Sequence, residues 1–156
     1  MDMSFKEKSI WVSLVTTLLI FSYYFIRIFI VLDEPEALAK SASLGLLLKM
    51  TLTIIVVEVV LQSLLAAGNR KTANLKTDER DSLFTYKANS LGYVVLIIGV
   101  MFTIGQMLVL EVNPQLTNHN GMLSIPLLTT HILLFSFILS EVVRFTAQLY
   151  FYRSGH

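Results

Sequence analysis

The sequence predicts an all-α membrane protein in which four transmembrane helices form an antiparallel bundle. Three observations favour this fold: hydrophobic residues make up 54% of the chain, charged residues make up 15%, and the mean hydropathy is +0.68. An ordinary soluble domain carries about 25% charged residues. At roughly 20 residues per membrane crossing, four crossings occupy about half of the 156 residues. We therefore expect a single integral membrane domain.

Four apolar runs are long enough to cross a bilayer. The breaks between them contain residues that commonly end helices, namely Pro35, Gly68-Asn69 and Asn113-Pro114. The predicted spans are residues 10–32, 44–67, 91–110 and 126–152, with a polar loop at residues 68–90. Because the breaks are short, consecutive helices are expected to be antiparallel neighbours.

Basic residues are concentrated on one side of these spans. Of the twelve Lys and Arg residues, two lie in the N-terminal segment, five in the 68–90 loop and one in the C-terminal segment. Lys40 alone lies in the two opposite loops. Short cytoplasmic loops hold the excess of Lys and Arg, so both termini are predicted to be cytoplasmic. We expect the first span to be retained, because about 23 apolar residues exceed the core of a signal peptide.

The two halves of the chain resemble each other, which predicts a duplicated helical hairpin. Glu58-Val59-Val60 in the second span recurs as Glu141-Val142-Val143 in the fourth. Phe and Lys recur at the same spacing before the first and third spans, as Phe5 and Lys8 and as Phe84 and Lys87. A repeat near half the chain length would be parallel, with its axis along the membrane normal. Chance similarity between Val- and Leu-rich helices is the alternative.

Several segments together carry a resemblance that covers nearly the whole chain. They are residues 5–14, the Asp-Glu-Arg-Asp box at 78–81, Lys87-Ala88, Gly92-Tyr93, residues 139–144, 148–150 and 152–155. These segments resemble a family of small bacterial four-span membrane proteins with such a box before the third helix. Members are similar to proteins often encoded beside small helix-turn-helix regulators. The resemblance implies the bacterial inner (plasma) membrane and a sensing or accessory role, and it supplies no catalytic residues.

Polar residues inside the spans are the candidate functional residues, because a charge at membrane depth costs about 2.5–3.5 kcal/mol and needs a partner or water. These residues are Glu58, Gln62, Gln106, His131, Glu141, Arg144 and Gln148. Helical spacing places the first two on one face and the last three on another. Structural pairing between helices is the favoured interpretation. A proton relay is the alternative.

Other polar and small residues in the spans suit packing or anchoring. Gly92, Gly99, Thr103 and Gln106 form a small and polar stripe on the third span, which favours close helix contact. Two basic side chains, those of Arg27 and Lys49, are expected near the outer ends of their spans, where they can reach the membrane surface.

The composition and motifs exclude several classes of chemistry. The chain contains no cysteine, so it forms no disulfide and no thiolate metal site. Neither Glu58 nor Glu141 has His three residues later, as a bundle di-iron site needs. No phosphate-binding or nucleophile motif occurs, and the net charge of +1 offers no field for nucleic acid. We expect no catalytic residues, metal or cofactor.

The box of Asp78, Glu79, Arg80 and Asp81 begins the segment that leads into the third span. Thr77 is expected to cap this helix, and acidic residues suit its positive end. No Gly or Pro interrupts the segment up to Ser90, so the helix should run directly into the span. The box is a candidate contact surface for a cytoplasmic protein partner. A solvated helix start is the alternative.

Two functional hypotheses follow from these residues. The leading one is a non-enzymatic sensor or accessory subunit that acts through assembly in the lipid bilayer and forms a homo-oligomer, because a four-span protein has much lipid-facing surface. The alternative is a small oligomeric channel or proton-linked transporter that uses Glu58, Glu141, Arg144 and His131.

The distribution of Lys and Arg makes the orientation testable. A reporter fused after His156 should report the cytoplasm, and one inserted near Asn118 should report the opposite side, because the segment from Glu111 to Ile125 contains no Lys or Arg. Paired fluorescent and phosphatase reporters measure this directly. The reverse pattern would contradict the predicted orientation.

Overall fold

The computed structural model describes residues 3–32, 36–68, 78–117 and 126–154. These residues form four long helices and one short 3₁₀ helix at Pro114–Thr117, and they contain no strand. The long helices are α1 (Phe5–Leu32), α2 (Glu36–Gly68), α3 (Glu79–Val112) and α4 (Leu128–Ser154). Each is long and apolar enough to cross a membrane. The predicted all-α, multi-pass membrane fold is confirmed.

Three of the helices begin earlier than the predicted spans. The first, α1, begins at Phe5, and α2 begins at Glu36, so Lys40 lies in a helix and not in a loop. The third, α3, includes the polar segment before its apolar part, as the absence of Gly and Pro predicts. The fourth, α4, begins at Leu128, after a turn at Pro126 and Leu127. Hydropathy marks only the apolar part of a helix, whereas helical hydrogen bonding continues through its polar ends.

The start of α3 differs by one residue from the expected cap. Asp78 is the N-cap, and its side chain accepts a hydrogen bond of 2.7 Å from the Glu79 backbone N–H. Thr77, the expected cap, lies outside the described residues. Both residue types offer a side-chain oxygen to the first turn, which is why the sequence alone does not distinguish them.

The centre of the bundle is the pair of α1 and α4. The first helix packs against α2 and α4, and α4 also packs against α3 over its length. Hydrogen bonds from Ser9 to Gln62 and from Thr129 to Gln106 show that each hairpin is antiparallel. Among the described residues α2 and α3 share no extensive contact, so the expectation that all consecutive helices are neighbours is wrong for this pair. Both pack against the central helices instead.

The main core lies where α1, α2 and α4 meet. Its buried side chains are Phe21, Tyr24, Leu47, Met50 and Ile138. Lipid tails are as apolar as these side chains, so the cluster stabilises the bundle by close van der Waals packing and not by transfer out of water. Since these side chains from α1, α2 and α4 touch one another, they lie at the same depth in the bundle.

The two hairpins pack in the same register. The sequence repeat aligns Ser13 with Gly92 and Glu58 with Glu141. In the structure Ser13 contacts Glu58, and Gly92 contacts Ser140, the neighbour of Glu141. This agreement within one residue is what a duplicated hairpin would give. The contact between α1 and α4 nevertheless has no extensive counterpart between α3 and α2.

Two glycines let α3 and α4 approach closely. A Cβ atom on Gly92 would lie 3.0 Å from Cβ of Arg144, and one on Gly99 would overlap the Ser136 side chain. The hydroxyl of Ser140 donates a 2.8 Å hydrogen bond to the carbonyl oxygen of Gly92. At the other end of the interface Gln106 accepts a hydrogen bond from Thr129. The stripe predicted on the third span therefore faces α4.

The substitution Gly99→Ala should destabilise the bundle. The added methyl group has to displace Ser136 and separate α3 from α4, and such overpacking costs about 1–3 kcal/mol. Thermal melting in mild detergent would show a lower midpoint. Gly105→Ala is the matched control, because a Cβ there meets nothing within 4 Å. Equal melting of both variants would contradict this interface.

Candidate functional site

A cavity of about 290 Å³ lies between α1, α2 and α4, and we call it the polar cleft. Its charged lining residues are Glu58 from α2 and Glu141 and Arg144 from α4. The remaining lining residues include Phe21 and Ile138 of the core. Three of the intramembrane residues predicted from the sequence therefore meet at one site.

Glu58 is held by polar side chains of α1 and of its own helix. One carboxylate oxygen, Oε1, accepts hydrogen bonds from the Ser13 hydroxyl and, at 3.2 Å, from the Gln62 amide. Gln62 also donates to the Ser13 hydroxyl at 2.9 Å and accepts from the Ser9 hydroxyl at 2.7 Å. The second oxygen, Oε2, is buried and has no hydrogen-bond partner among the described residues. The network links α1 to α2 and leaves one buried acceptor unsatisfied.

Glu141 and Arg144 form an ion pair one turn apart on α4. The guanidinium donates through Nη2 to Oε2 and through Nε to Oε1, the latter at 3.2 Å. Its central carbon also lies 4.2 Å from the centre of the Phe145 ring, a cation–π contact. Among the described residues that line the polar cleft, two are carboxylates and Arg144 is the one base, so negative charge is in excess there.

The polar cleft opens sideways, between α2 and α4. At its rim Ile55 and Phe137 are 54% and 51% exposed. The side chains of Glu141 and Arg144 are 27% and 29% exposed. Within the described ranges no other helix covers this opening, so in a bilayer the charged pair would border lipid tails unless something else lies there.

Lys49 lies deeper than the sequence indicated. It is adjacent to Met50, which packs in the core with Phe21, near the middle of α1. The expectation that Lys49 lies near the outer end of its span is wrong, because the packing of Met50 with Phe21 places it closer to the middle of the bundle. Its side chain is exposed on the surface of α2. Arg27 is also exposed and lies in the last turns of α1, as expected.

His131 is separated from the polar cleft. Its Nδ1 is hydrogen-bonded to the hydroxyl of Tyr24, which is fully buried. Its Nε2 is buried without a partner among the described residues. The buried side chains of Phe21 and Ile138 lie between this pair and the carboxylates. The structure therefore does not join His131 to Glu58 and Glu141.

The two remaining candidate residues serve the contact between α3 and α4. Gln148 is 8% exposed, and its amide donates a 3.0 Å hydrogen bond to the Thr85 hydroxyl. Gln106 accepts from Thr129, and its amide nitrogen is buried without a partner in the described chain. Both therefore lie outside the polar cleft.

The Asp-Glu-Arg-Asp box is partly engaged within the protein. Asp78 caps α3, and Asp81 forms a 2.7 Å ion pair with Lys6 at the start of α1. Arg80 lies over the ring of Phe84, with its guanidinium carbon 5.1 Å from the ring centre. Glu79 is exposed. This end of the bundle, with Lys6, Arg80, Lys87 and Arg153, is called the basic end below.

Sequence analysis missed three partners of the candidate residues: Ser13 for Glu58, Tyr24 for His131 and Lys6 for Asp81. A signal for Ser13 was present, since Ser9, Ser13 and Thr17 follow each other at intervals of four residues. Such spacing places small polar groups on one face of a helix. The other two partners carry no comparable signal.

No protein-family model, curated protein or solved structure matches this chain. Among the residues that the structure describes, no three His, Asp or Glu side chains converge as metal ligands. The chemistry of the polar cleft therefore has to be inferred from its own charges and hydrogen bonds.

The ion pair makes a direct prediction about stability. Arg144→Leu leaves Glu141 without a cation at membrane depth, which should cost about 3 kcal/mol and lower the melting midpoint in detergent by several degrees. Adding Glu141→Gln should recover much of that loss, because the stranded charge is gone. Thermal melting of the single and double variants at neutral pH measures both effects. Parental melting of Arg144→Leu would show that the pair does not stabilise the bundle.

Proposed function

We propose that this protein is a non-enzymatic sensor or accessory subunit of the bacterial inner membrane that acts through assembly. The observation that carries the proposal is that the intramembrane polar groups bind one another within the bundle. Glu58 and Gln62 bind α1, Gln148 and Gln106 bind partners across the α3–α4 interface, and Glu141 pairs with Arg144. Polar contacts of this kind hold transmembrane helices together.

The separation of the polar groups supports the same proposal. A proton path needs protonatable groups or water in succession across the membrane, but the apolar core lies between the Tyr24–His131 pair and the polar cleft. An assembly protein needs no continuous path. The resemblance to small four-span membrane proteins, which remains a prediction, points to the same class of function.

The basic end is the surface that we assign to a cytoplasmic partner. Asp78, Glu79 and Arg80 are exposed. Since Asp78 caps α3 and Asp81 pairs with Lys6, we assign the contact to Glu79 and Arg80. In this proposal the orientation follows the excess of Lys and Arg, which places the basic end in the cytoplasm.

Proton-linked transport is the second candidate, and the polar cleft is the observation that favours it. A cavity that reaches two carboxylates and an arginine could admit water and protons from one side. Transport would then require the core around Phe21 and Ile138 to open during the cycle.

Reconstitution separates the two candidates. In liposomes with an imposed pH gradient and a trapped pH-sensitive dye, the purified protein should produce no proton flux above that of empty liposomes, because the core closes the path. Glu58→Gln and, as the matched control, Glu79→Gln at the exposed start of α3 are measured in parallel. Flux that disappears in Glu58→Gln and persists in Glu79→Gln would overturn the proposal in favour of transport.

A further inference from the structure

Lys49 occupies a position that its own helix does not explain. The core residues Phe21, Met50 and Ile138 share one depth near the centre of the bundle, and Lys49 is the neighbour of Met50. Phe21 lies six residues before Arg27 on α1, which is about 9 Å at 1.5 Å per residue. A lysine side chain spans only about four residues of helix rise, so from the depth of Met50 and Phe21 it does not reach the level of Arg27 near the outer end of α1.

The exposure of Lys49 makes this position costly for a single copy in lipid. Its side chain lies on the surface of α2, and no ion pair to it occurs among the described residues. A lysine at the centre of a transmembrane helix is unfavourable and generally faces a partner or a water-filled cavity. A group of opposite charge at the same depth would remove the penalty.

The polar cleft provides that group. Glu141 follows Ile138 by three residues, about 4.5 Å along α4, so the opening of the cleft lies within one helical turn of the depth of Lys49. Two carboxylates and one guanidinium line it. One further cation makes the sum of charges zero, which is the state that low dielectric favours.

We propose that Lys49 of one copy inserts into the opening of the polar cleft of a second copy and pairs there with Glu141. The charges and depths of the two surfaces match, and the partner copy completes the cleft. This inference deepens the proposed assembly role, and it rests on that role only in taking the assembled state as the functional one.

The geometry of α2 also determines the kind of assembly. Lys49 and Glu58 are nine residues apart, which is two and a half turns at 3.6 residues per turn, so they lie on opposite faces of α2. Because Glu58 lines the polar cleft, a contact between Lys49 and the cleft joins two different faces and is heterologous. Such a contact gives a closed ring when the rotation between copies closes and an open row when it does not. The expected particle therefore contains at least three copies, since a two-fold dimer would use the same face twice.

Cysteine cross-linking tests the contact without changing a charged residue. The chain has no cysteine, so introduced pairs report cleanly. Leu52 is exposed on the same side of α2 as Lys49, and Phe137 is exposed at the rim of the cleft. The double variant Leu52→Cys and Phe137→Cys should form disulfide-linked dimers and higher multimers on mild oxidation in native membranes.

The matched control pairs Leu52→Cys with Met101→Cys. Met101 is more exposed than Phe137 and lies near the same depth, because Gly99 packs against Ser136, but it belongs to α3. This variant should remain a monomer after oxidation. Equal cross-linking in both variants, or none in the cleft variant, would overturn the proposal.

Charge reversal tests the pairing itself. Lys49→Glu should shift the mass in lipid nanodiscs from three or more copies to one, whereas Lys40→Glu, at an exposed position nearer the start of the same helix, should leave it unchanged. Unchanged assembly of Lys49→Glu would contradict the pairing. Failure of the pairing proposal would not change the outcome of the flux measurement, so the two proposals are tested separately.

Discussion

The bundle depends on one constraint: charges and hydrogen-bond donors cannot face lipid tails without a partner. This constraint explains why Ser13, Glu58 and Gln62 lie together between α1 and α2, and why Arg144 bonds to Glu141 through two nitrogens. Apolar packing alone would let α1 slide along α2, since Leu and Val contacts are similar in every register. The polar contacts allow only one register.

A second constraint acts where α3 meets α4. At Gly92 and Gly99 the helices are so close that a methyl group has no room, and the Ser140 hydroxyl bonds to the backbone of Gly92. At the basic end the ion pair of Lys6 and Asp81 connects α1 to α3. Small residues therefore determine the distance between helices, while polar residues determine their axial position.

Much of the fold could be predicted from the sequence, because length and hydropathy depend on single helices. The four spans, the helix that continues through residues 79–90 and the glycine stripe are of this kind. The lack of an extensive contact between α2 and α3 among the described residues could not be predicted, since it depends on which helices occupy the central positions. Glu58 lies close to Glu141 and Arg144 for the same reason, namely the arrangement of α2 and α4 around α1.

The depth of Lys49 shows where hydropathy is misleading. An apolar window that starts at Leu44 places the lysine near the end of the span, but the packing of Met50 with Phe21 places it near the centre. Register between helices measures depth better than the edge of a hydrophobic run, because neighbouring helices share one bilayer.

The two hairpins differ in how the charge of the intramembrane glutamate is neutralised. Aligning Glu58 with Glu141 places Leu61 at the position of Arg144, so the first hairpin lacks the arginine that neutralises the second. Its only intramembrane cation after Arg27 is Lys49, which lies on the opposite face of α2 and is out of reach of Glu58 in the same copy. If the hairpins arose by duplication, the first one exchanged an internal ion pair for two separated charges. Charges of opposite sign on different faces of one copy favour contact between copies.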